Sequence, residues 1–362
     1  MKDKRYKVLD LFCGCGGLSE GFKMAGFEIC QGIDFNQAAI DTYNKNFNNK
    51  GICADLTEVS SAKIQSLVPE INQIDVIIGG PPCQGFSSAN RQQKEEFDER
   101  NKLFYQFLKF VDIAKPKAIV IENVKEILTK NNGYAKEQII KLFQERGYNV
   151  TYKLLKASDY GIPQKRIRNF FVITKDFKFD FDVLTKKQEV ITVKDALSDL
   201  YELEHLNNEE FNSIYIQNLY QSNKYLQYLK NGNLNIENHE IRYPSDATQE
   251  KMSHVPQGGN WKDIPEYLFK TQRNNRHSTA YKRLSESDVS CTIDTGNNHC
   301  NYYHPLFNRI PTVRESARLQ SFKDSFVFCG SRTEQYKQVG NAVPPLLSMV
   351  IAKALKEVLD EK

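Results

Sequence analysis

The chain has 362 residues, 40% hydrophobic and 26% charged, the balance of a soluble globular protein too long for one core, so two domains are expected. Its eight cysteines, at 13, 15, 30, 53, 83, 291, 300 and 329, form no CxxC pair, which argues against a structural zinc site. "MKDKRYKVLD" lacks the apolar core of a signal peptide and "LLSMVIAKAL" falls short of the ~20 residues a bilayer requires, so a cytoplasmic protein without disulfides or a membrane span is expected.

The net charge of +4 is unevenly spread, with 8 Lys/Arg against 10 Asp/Glu in residues 1–90 and 41 against 35 in the remainder. Any polyanion is therefore expected to meet the later part of the chain.

Taken in order, "YKVLDLF" reads as a strand, "CGCGG" as a turn and "LSEGFKMAG" as a helix stopped at Gly26. "EICQGID" is a second strand, and Asn36 caps the helix "NQAAIDTYNKNF". "ICADL" is a short strand, "SAKIQSLV" a helix ended by Pro69, and "IDVIIGG" a fourth strand. Leu103, Phe104, Phe107, Leu108 and Val111 recur at helical spacing. "KAIVIENV" is apolar through its centre, as a strand buried on both faces should be. The helix "GYAKEQIIKLFQERG" and the strands "NVTYKLLKA" and "IRNFFVIT" close the series. The β–α alternation predicts an α/β fold with a doubly wound parallel sheet over residues 1–185. Residues 186–334 break the pattern and predict a second, smaller irregular domain. "YKQVGNAVPPLLSMVIAKALKEVL" predicts a long amphipathic helix, so that 335–362 completes the first domain.

Chemistry-bearing residues fall at strand ends, where open α/β sheets bind ligands. The turn at Gly14 and Gly16 precedes the acidic end of the second strand, Asp34, by the spacing at which a carboxylate meets ribose hydroxyls. Asp55 ends the third strand and can accept from an adenine amino group. Turn and carboxylates together point to an adenosine-containing cofactor, and NAD and S-adenosyl-L-methionine both fit them. Cys83, just past the fourth strand in "GGPPCQGFSSAN", separates the two. Hydride transfer has no use for a thiol there. Methylation of cytosine at carbon 5 does, because a thiolate added to C6 makes C5 enamine-like. Glu122 in "IENV" offers a carboxyl for N3, kept partly protonated by burial. "QKRIR" offers Arg166 and Arg168, whose spacing at a strand start places both on one face, for O2. Each feature alone has an ordinary explanation, a buried thiol or a solvated charge. Their joint order on consecutive strand ends does not.

In "DLFCGCGGLSEGF", "GGPPCQGFS", "IENV", "DYGIPQKRIR", "TVRESARLQSF" and "QVGNAVPP", the chain resembles the bacterial DNA (cytosine-5)-methyltransferases of restriction-modification systems over nearly its whole length. The resemblance implies a Rossmann-like S-adenosylmethionine-dependent fold with a target-recognition domain. It implies S-adenosyl-L-methionine as cofactor, S-adenosyl-L-homocysteine as product, and no metal. It implies Cys83 as nucleophile, Glu122 at N3 and the exocyclic amine, Arg168 at O2, and Arg166 as support of that loop. Phe12, Gly14, Gly16, Asp34, Asp55 and Leu103 would surround the cofactor. Pro82 would shape the Cys83 loop, and Asn341 would hold the active-site loop and target base. Asp34 stands where the family usually has Glu, one methylene longer.

The implied partners are duplex DNA with a short specific site, whose cytosine is flipped from the stack, and a cognate restriction endonuclease; the protein is expected to be a monomer. Ser87 and Arg91, in the polar loop after Cys83, are expected to meet the minor groove. Lys270, Arg273, Arg276, Lys282 and Arg283 lie in "KTQRNNRHSTAYKR", which has no acidic residue and suits phosphate and base-edge contacts. Cytosine-5 methylation of RNA and a non-catalytic DNA-binding regulator are the alternatives.

Overall fold

Apolar runs separated by amphipathic segments build the first part of the chain into one sheet. A computed structural model describes residues 5–82, 102–205, 214–215, 223–233, 235–269, 280–296 and 301–361. It divides into two compact units, one of residues 1–156, 167–186 and 345–362, the other of 157–166 and 187–344.

In the first unit the elements run β1 (Lys7–Leu11), α1 (Gly17–Met24), β2 (Glu28–Asp34), α2 (Gln37–Asn46), β3 (Gly51–Cys53), α3 (Ser61–Leu67), β4 (Val76–Gly79), α4 (Lys102–Ala114), β5 (Ala118–Val124), α5 (Tyr134–Gln144), β6 (Asn149–Lys156) and β7 (Ile167–Thr174). Asn36 caps α2, accepting from the Ala39 amide at 2.9 Å. Phe104, Phe107, Leu108 and Val111 of α4 are buried against Leu9, Leu11, Ile77, Ile119 and Ile121 of the sheet. Among the described residues the sheet has seven strands in the order β3-β2-β1-β4-β5-β7-β6.

The sheet is mixed, which corrects the expectation of a parallel one. β7 runs antiparallel to both β5 and β6. Helix α5 returns the chain to a strand parallel with β5, but the short 157–166 connection has no crossover helix, so β7 turns back between them. The first residues of β7 therefore lie beside the last residues of β5, with Arg168 opposite Val124.

The second unit contains α6 (Val193–Leu197), β8 (Ile214–Tyr215), α7 (Lys224–Lys230), β9 (Asn235–Ile236), α8 (Asp246–Ser253), β10 (Lys282–Arg283), β11 (Tyr302–Tyr303), α9 (Val313–Leu319) and α10 (Arg332–Asn341). Its strands form two short ladders, β8–β9 and β10–β11. Its interior holds unusual charge: Arg309, Arg314 and Arg318 are fully buried. Arg309 pairs with Glu315 at 2.8 Å and with Glu204 at 2.6 Å. Burial pushes the nearby His239 and His304 imidazoles down to about 4 and about 3, so both are neutral at physiological pH.

The C-terminal segment is two helices rather than one. α10 ends at Asn341, and α11 (Pro345–Asp360) starts after Ala342–Pro344, because the paired prolines cannot continue the α10 hydrogen-bond ladder but suit the start of the next helix. α11 belongs to the first unit. There the Ser348 hydroxyl donates to the Leu18 carbonyl and the Tyr6 hydroxyl to the Leu359 carbonyl, both at 2.6 Å. A Cβ on Gly21 would lie 2.3 Å from that of Ser348, so α1 and α11 meet at a glycine.

Candidate functional site

The carboxyl ends of β1 to β5 form one edge of the first unit. At β1 the chain turns through Phe12 and Gly14, both with positive φ (59° and 52°), and Gly16 at 97°. A side chain at Phe12 in this conformation is uncommon and marks a constrained turn. Asp34 ties the turn to β2. Its two carboxylate oxygens accept from the Gly14 and Asn36 amides, each at 2.9 Å. The spacing of Gly14 and Asp34 thus becomes a direct contact.

Asp55, exposed one loop further on, accepts from the Thr57 amide at 2.8 Å. α4 braces this loop, since Gln106 donates to the Thr57 carbonyl and Lys109 to that of Val59, both at 3.1 Å. Leu103 and Phe12 are partly buried and pack on the same core.

Phe35, directly after Asp34, is a residue that sequence reasoning missed. Its ring is 73% exposed. A flat apolar face directly after the Asp34 strand end fits an adenine-like base, and the signal was an aromatic residue immediately after an acidic strand end. The donor set of carboxylates, glycine turn and open ring therefore fits an adenosine-bearing group.

Burial also silences three groups in the turn and in the strand that leads into it. Burial pushes the Cys13 thiol well up and the Cys15 thiol up to about 12, so neither is a nucleophile at neutral pH. The Asp10 carboxyl is pushed up to about 8, first by burial and further by Asp34, against the opposing hydrogen bond from Ser19.

A carboxyl with a raised folded pKa contributes full stability below the ordinary carboxylate range and loses it as pH rises towards 8. Asp10→Asn, which mimics the protonated acid, is accordingly expected to gain stability over the parent as pH is raised from 4 to 8, with no further gain above 8. Urea denaturation followed by circular dichroism across that range checks it, and a constant difference would refute it.

At the end of β5 and the start of β7 two of the candidates, Glu122 and Arg168, come together. A Cβ on Gly80 would lie 3.4 Å from Oε2 of Glu122. The Glu122 Oε1 lies 2.9 Å from Nε of Arg168, both side chains being largely buried. The carboxyl, largely buried, thus sits in an ion pair with that guanidinium. Asn123 donates to the Pro81 carbonyl at 3.1 Å, two residues before Cys83. Pro82 is exposed. Cys83, Ser87, Arg91, Lys270, Arg273 and Arg276 lie outside the described residues.

Two arginines have other duties. Arg166 precedes β7, groups with the second unit and is 1% exposed. It donates to the carbonyls of Ile293 at 3.0 Å and Gly340 at 2.9 Å. It therefore does not share a strand face with Arg168 and supports a loop in its own unit instead. That loop approaches so closely that a Cβ on Gly340 would lie 2.4 Å from the Asp294 carbonyl carbon, which accounts for the glycine in "QVGNAVPP". Asn341, next along, is exposed at the end of α10.

Arg283 corrects the expectation of a DNA contact. It is 5% exposed, and its five N–H donors go to the carbonyls of Val255, His304, Phe307 and Met252 and to Asn308 Oδ1. None is left for a phosphate. Lys282, its neighbour, is half-buried.

The family model for C-5 cytosine-specific DNA methylases matches residues 6–357. The type II methyltransferase M.DdeI of Desulfomicrobium norvegicum is 35% identical, over 96% of this chain and 88% of its own. M1.HphI of Haemophilus parahaemolyticus is 38% identical, over 96% and 86%. A putative DNA modification methyltransferase encoded within an E. coli prophage superposes with a TM-score of 0.77 at 27% identity, covering 98% of this chain and 99% of that one. S. pombe Dnmt2 superposes at 0.60 with 19% identity, a likeness of fold alone.

Proposed function

The chain belongs to the C-5 cytosine-specific DNA methylases, and on that premise we propose that it uses S-adenosyl-L-methionine to methylate a cytosine flipped out of a short duplex site. The observation that carries the reading is the Glu122–Arg168 pair beside the Asn123–Pro81 tether, on the same sheet edge as the Asp34 turn. The cofactor supplies the methyl group. Asp34, Asp55, Phe35 and the turn through Gly14 and Gly16 hold its adenosine part, with Leu103 and Phe12 against it.

Cys83 adds as thiolate to C6 of the cytosine, forming a C–S bond while electron density moves toward N3. Glu122 addresses N3 and the exocyclic amine, and Arg168, which it orients, holds O2. Once C5 carries the methyl group, the C5 proton passes to solvent water, the C5–C6 double bond re-forms and the C–S bond breaks with its electron pair returning to sulfur as thiolate, which restores the ring. The second unit reads the DNA, with Lys270, Arg273 and Arg276 as the basic contacts and Ser87 and Arg91 of the first unit at the minor groove. Among the described residues no helix is long and apolar enough to cross a membrane. A cytoplasmic monomer that protects DNA from a partner endonuclease completes the proposal.

Duplex DNA carrying 5-fluorocytosine tests it, because fluorine at C5 cannot leave as a proton does. With S-adenosyl-L-methionine present, an adduct surviving denaturation is expected from the parent and none from Cys83→Ser. Adduct on RNA but on no duplex would favour the RNA alternative, and none on either would favour a non-catalytic regulator. The full-length similarity to type II methyltransferases favours DNA.

A further inference from the structure

Asn169, the residue after Arg168 in β7, is fully buried, and neither its amide oxygen nor its amide nitrogen has a hydrogen-bond partner among the described residues. Leaving such an amide unpaired costs about 1–3 kcal/mol, and a strand interior is better filled by valine or leucine. A polar side chain kept at that cost points to a partner met in another state.

The sheet register shows which partner is in reach. Asn169 lies opposite Asn123 on β5 and Leu154 on β6. Side chains directly opposite on one face have Cβ atoms about 4.5–5.5 Å apart, within reach of paired amides. Asn123 is already oriented. Its Nδ2 donates to the Pro81 carbonyl at 3.1 Å, and its Oδ1 accepts from the Val124 amide at 3.0 Å. Both contacts demand the same assignment of oxygen and nitrogen. The register thus sets the donor-bearing amide of Asn169 across from the amide of Asn123. The Glu122–Arg168 pair occupies the adjacent positions on these two strands.

We propose that Asn169 is a positioning residue, donating to Asn123 Oδ1 in the substrate-bound enzyme and so fixing the tether from Asn123 to Pro81 and the start of the segment that carries Cys83. Catalytic hydrogen bonds commonly tighten only in the substrate complex. The inference rests on the function proposed above.

Asn169→Val and Asn169→Thr separate position from packing, being the same shape with and without a hydroxyl donor. Labelled methyl transfer to unmethylated plasmid DNA is the readout. The Val variant is expected to lose about tenfold in kcat, with KM for DNA and for S-adenosyl-L-methionine unchanged and thermal stability equal or higher. The Thr variant is expected to retain most of the parent's kcat. A Val variant with the parent's kcat, or Val and Thr variants equally impaired, overturns the proposal. Where valine overpacks, the smaller pair Asn169→Ala and Asn169→Ser makes the same comparison. A parent chain that transfers no methyl group refutes the proposed function instead, so the two failures are distinct.

Discussion

Glu122→Gln is expected to slow methyl transfer by about 10²–10⁴-fold, the usual worth of a positioned acid–base group. Glutamine keeps the shape of the side chain but loses both the charge that pairs with Arg168 at 2.9 Å and the capacity to carry a proton to N3. The guanidinium, largely buried at the start of β7, is then left without its anion. It should drift from the orientation that the pair imposes. The proposed function assigns cofactor binding to Asp34, Phe35 and the glycine turn rather than to Glu122, so the dissociation constant for S-adenosyl-L-methionine is expected to stay near that of the parent. Single-turnover transfer of a labelled methyl group measures the loss, and equilibrium binding measures the cofactor. A rate within about threefold of the parent would remove Glu122 from the chemistry.

Arg318→Met is expected to destabilise the second unit by about 3–5 kcal/mol. Arg318 is fully buried and bridges two buried carboxylates. It donates to both oxygens of Asp324 at 2.8 Å, and to Asp199 and the Ala196 carbonyl. Burial pushes the Asp199 carboxyl up, but Arg318 and, less strongly, Lys230 outweigh it and hold the carboxyl below its ordinary range. Methionine fills the space but removes the guanidinium hydrogen-bonded to both oxygens of Asp324, and burying a poorly paired charge is far costlier than burying none.

Adding Asp199→Leu and Asp324→Leu to Arg318→Met should therefore recover much of the loss. Trp261 is the sole tryptophan of the chain and lies in the second unit, so its fluorescence in urea reports that unit directly. An unchanged midpoint for Arg318→Met would show that the clasp adds nothing.

Much of this protein follows from local patterns. "EICQGID" becomes β2 over the same residues, and Asn36 caps α2. The apolar spacing from Phe104 to Val111 buries one face of α4. These outcomes depend on side-chain period and on a cap three residues from its donor, both of which a linear sequence carries. The order of motifs on strand ends likewise places the glycine turn, Asp34, Asp55 and Glu122 on one edge of the sheet.

Other features were set by partners distant in the chain. "IRNFFVIT" reads as a strand in either direction, and its pairing with both β5 and β6 made it antiparallel. That reversal brings Arg168 to Glu122; a parallel β7 would have started at the opposite end of the sheet. "QKRIR" cannot show that Arg166 serves Ile293 and Gly340 while Arg168 serves Glu122. In "YKR", Arg283 looks like any basic surface residue until five acceptors close around it. Phe35 looks like core until its ring is left 73% exposed. The sequence by itself determined the α/β alternation, the glycine turn and the chemistry at the strand ends, because period, caps and turns act over a few residues. Only the tertiary structure decided which charges meet and which are buried, because strand direction and burial depend on segments that approach from far along the chain.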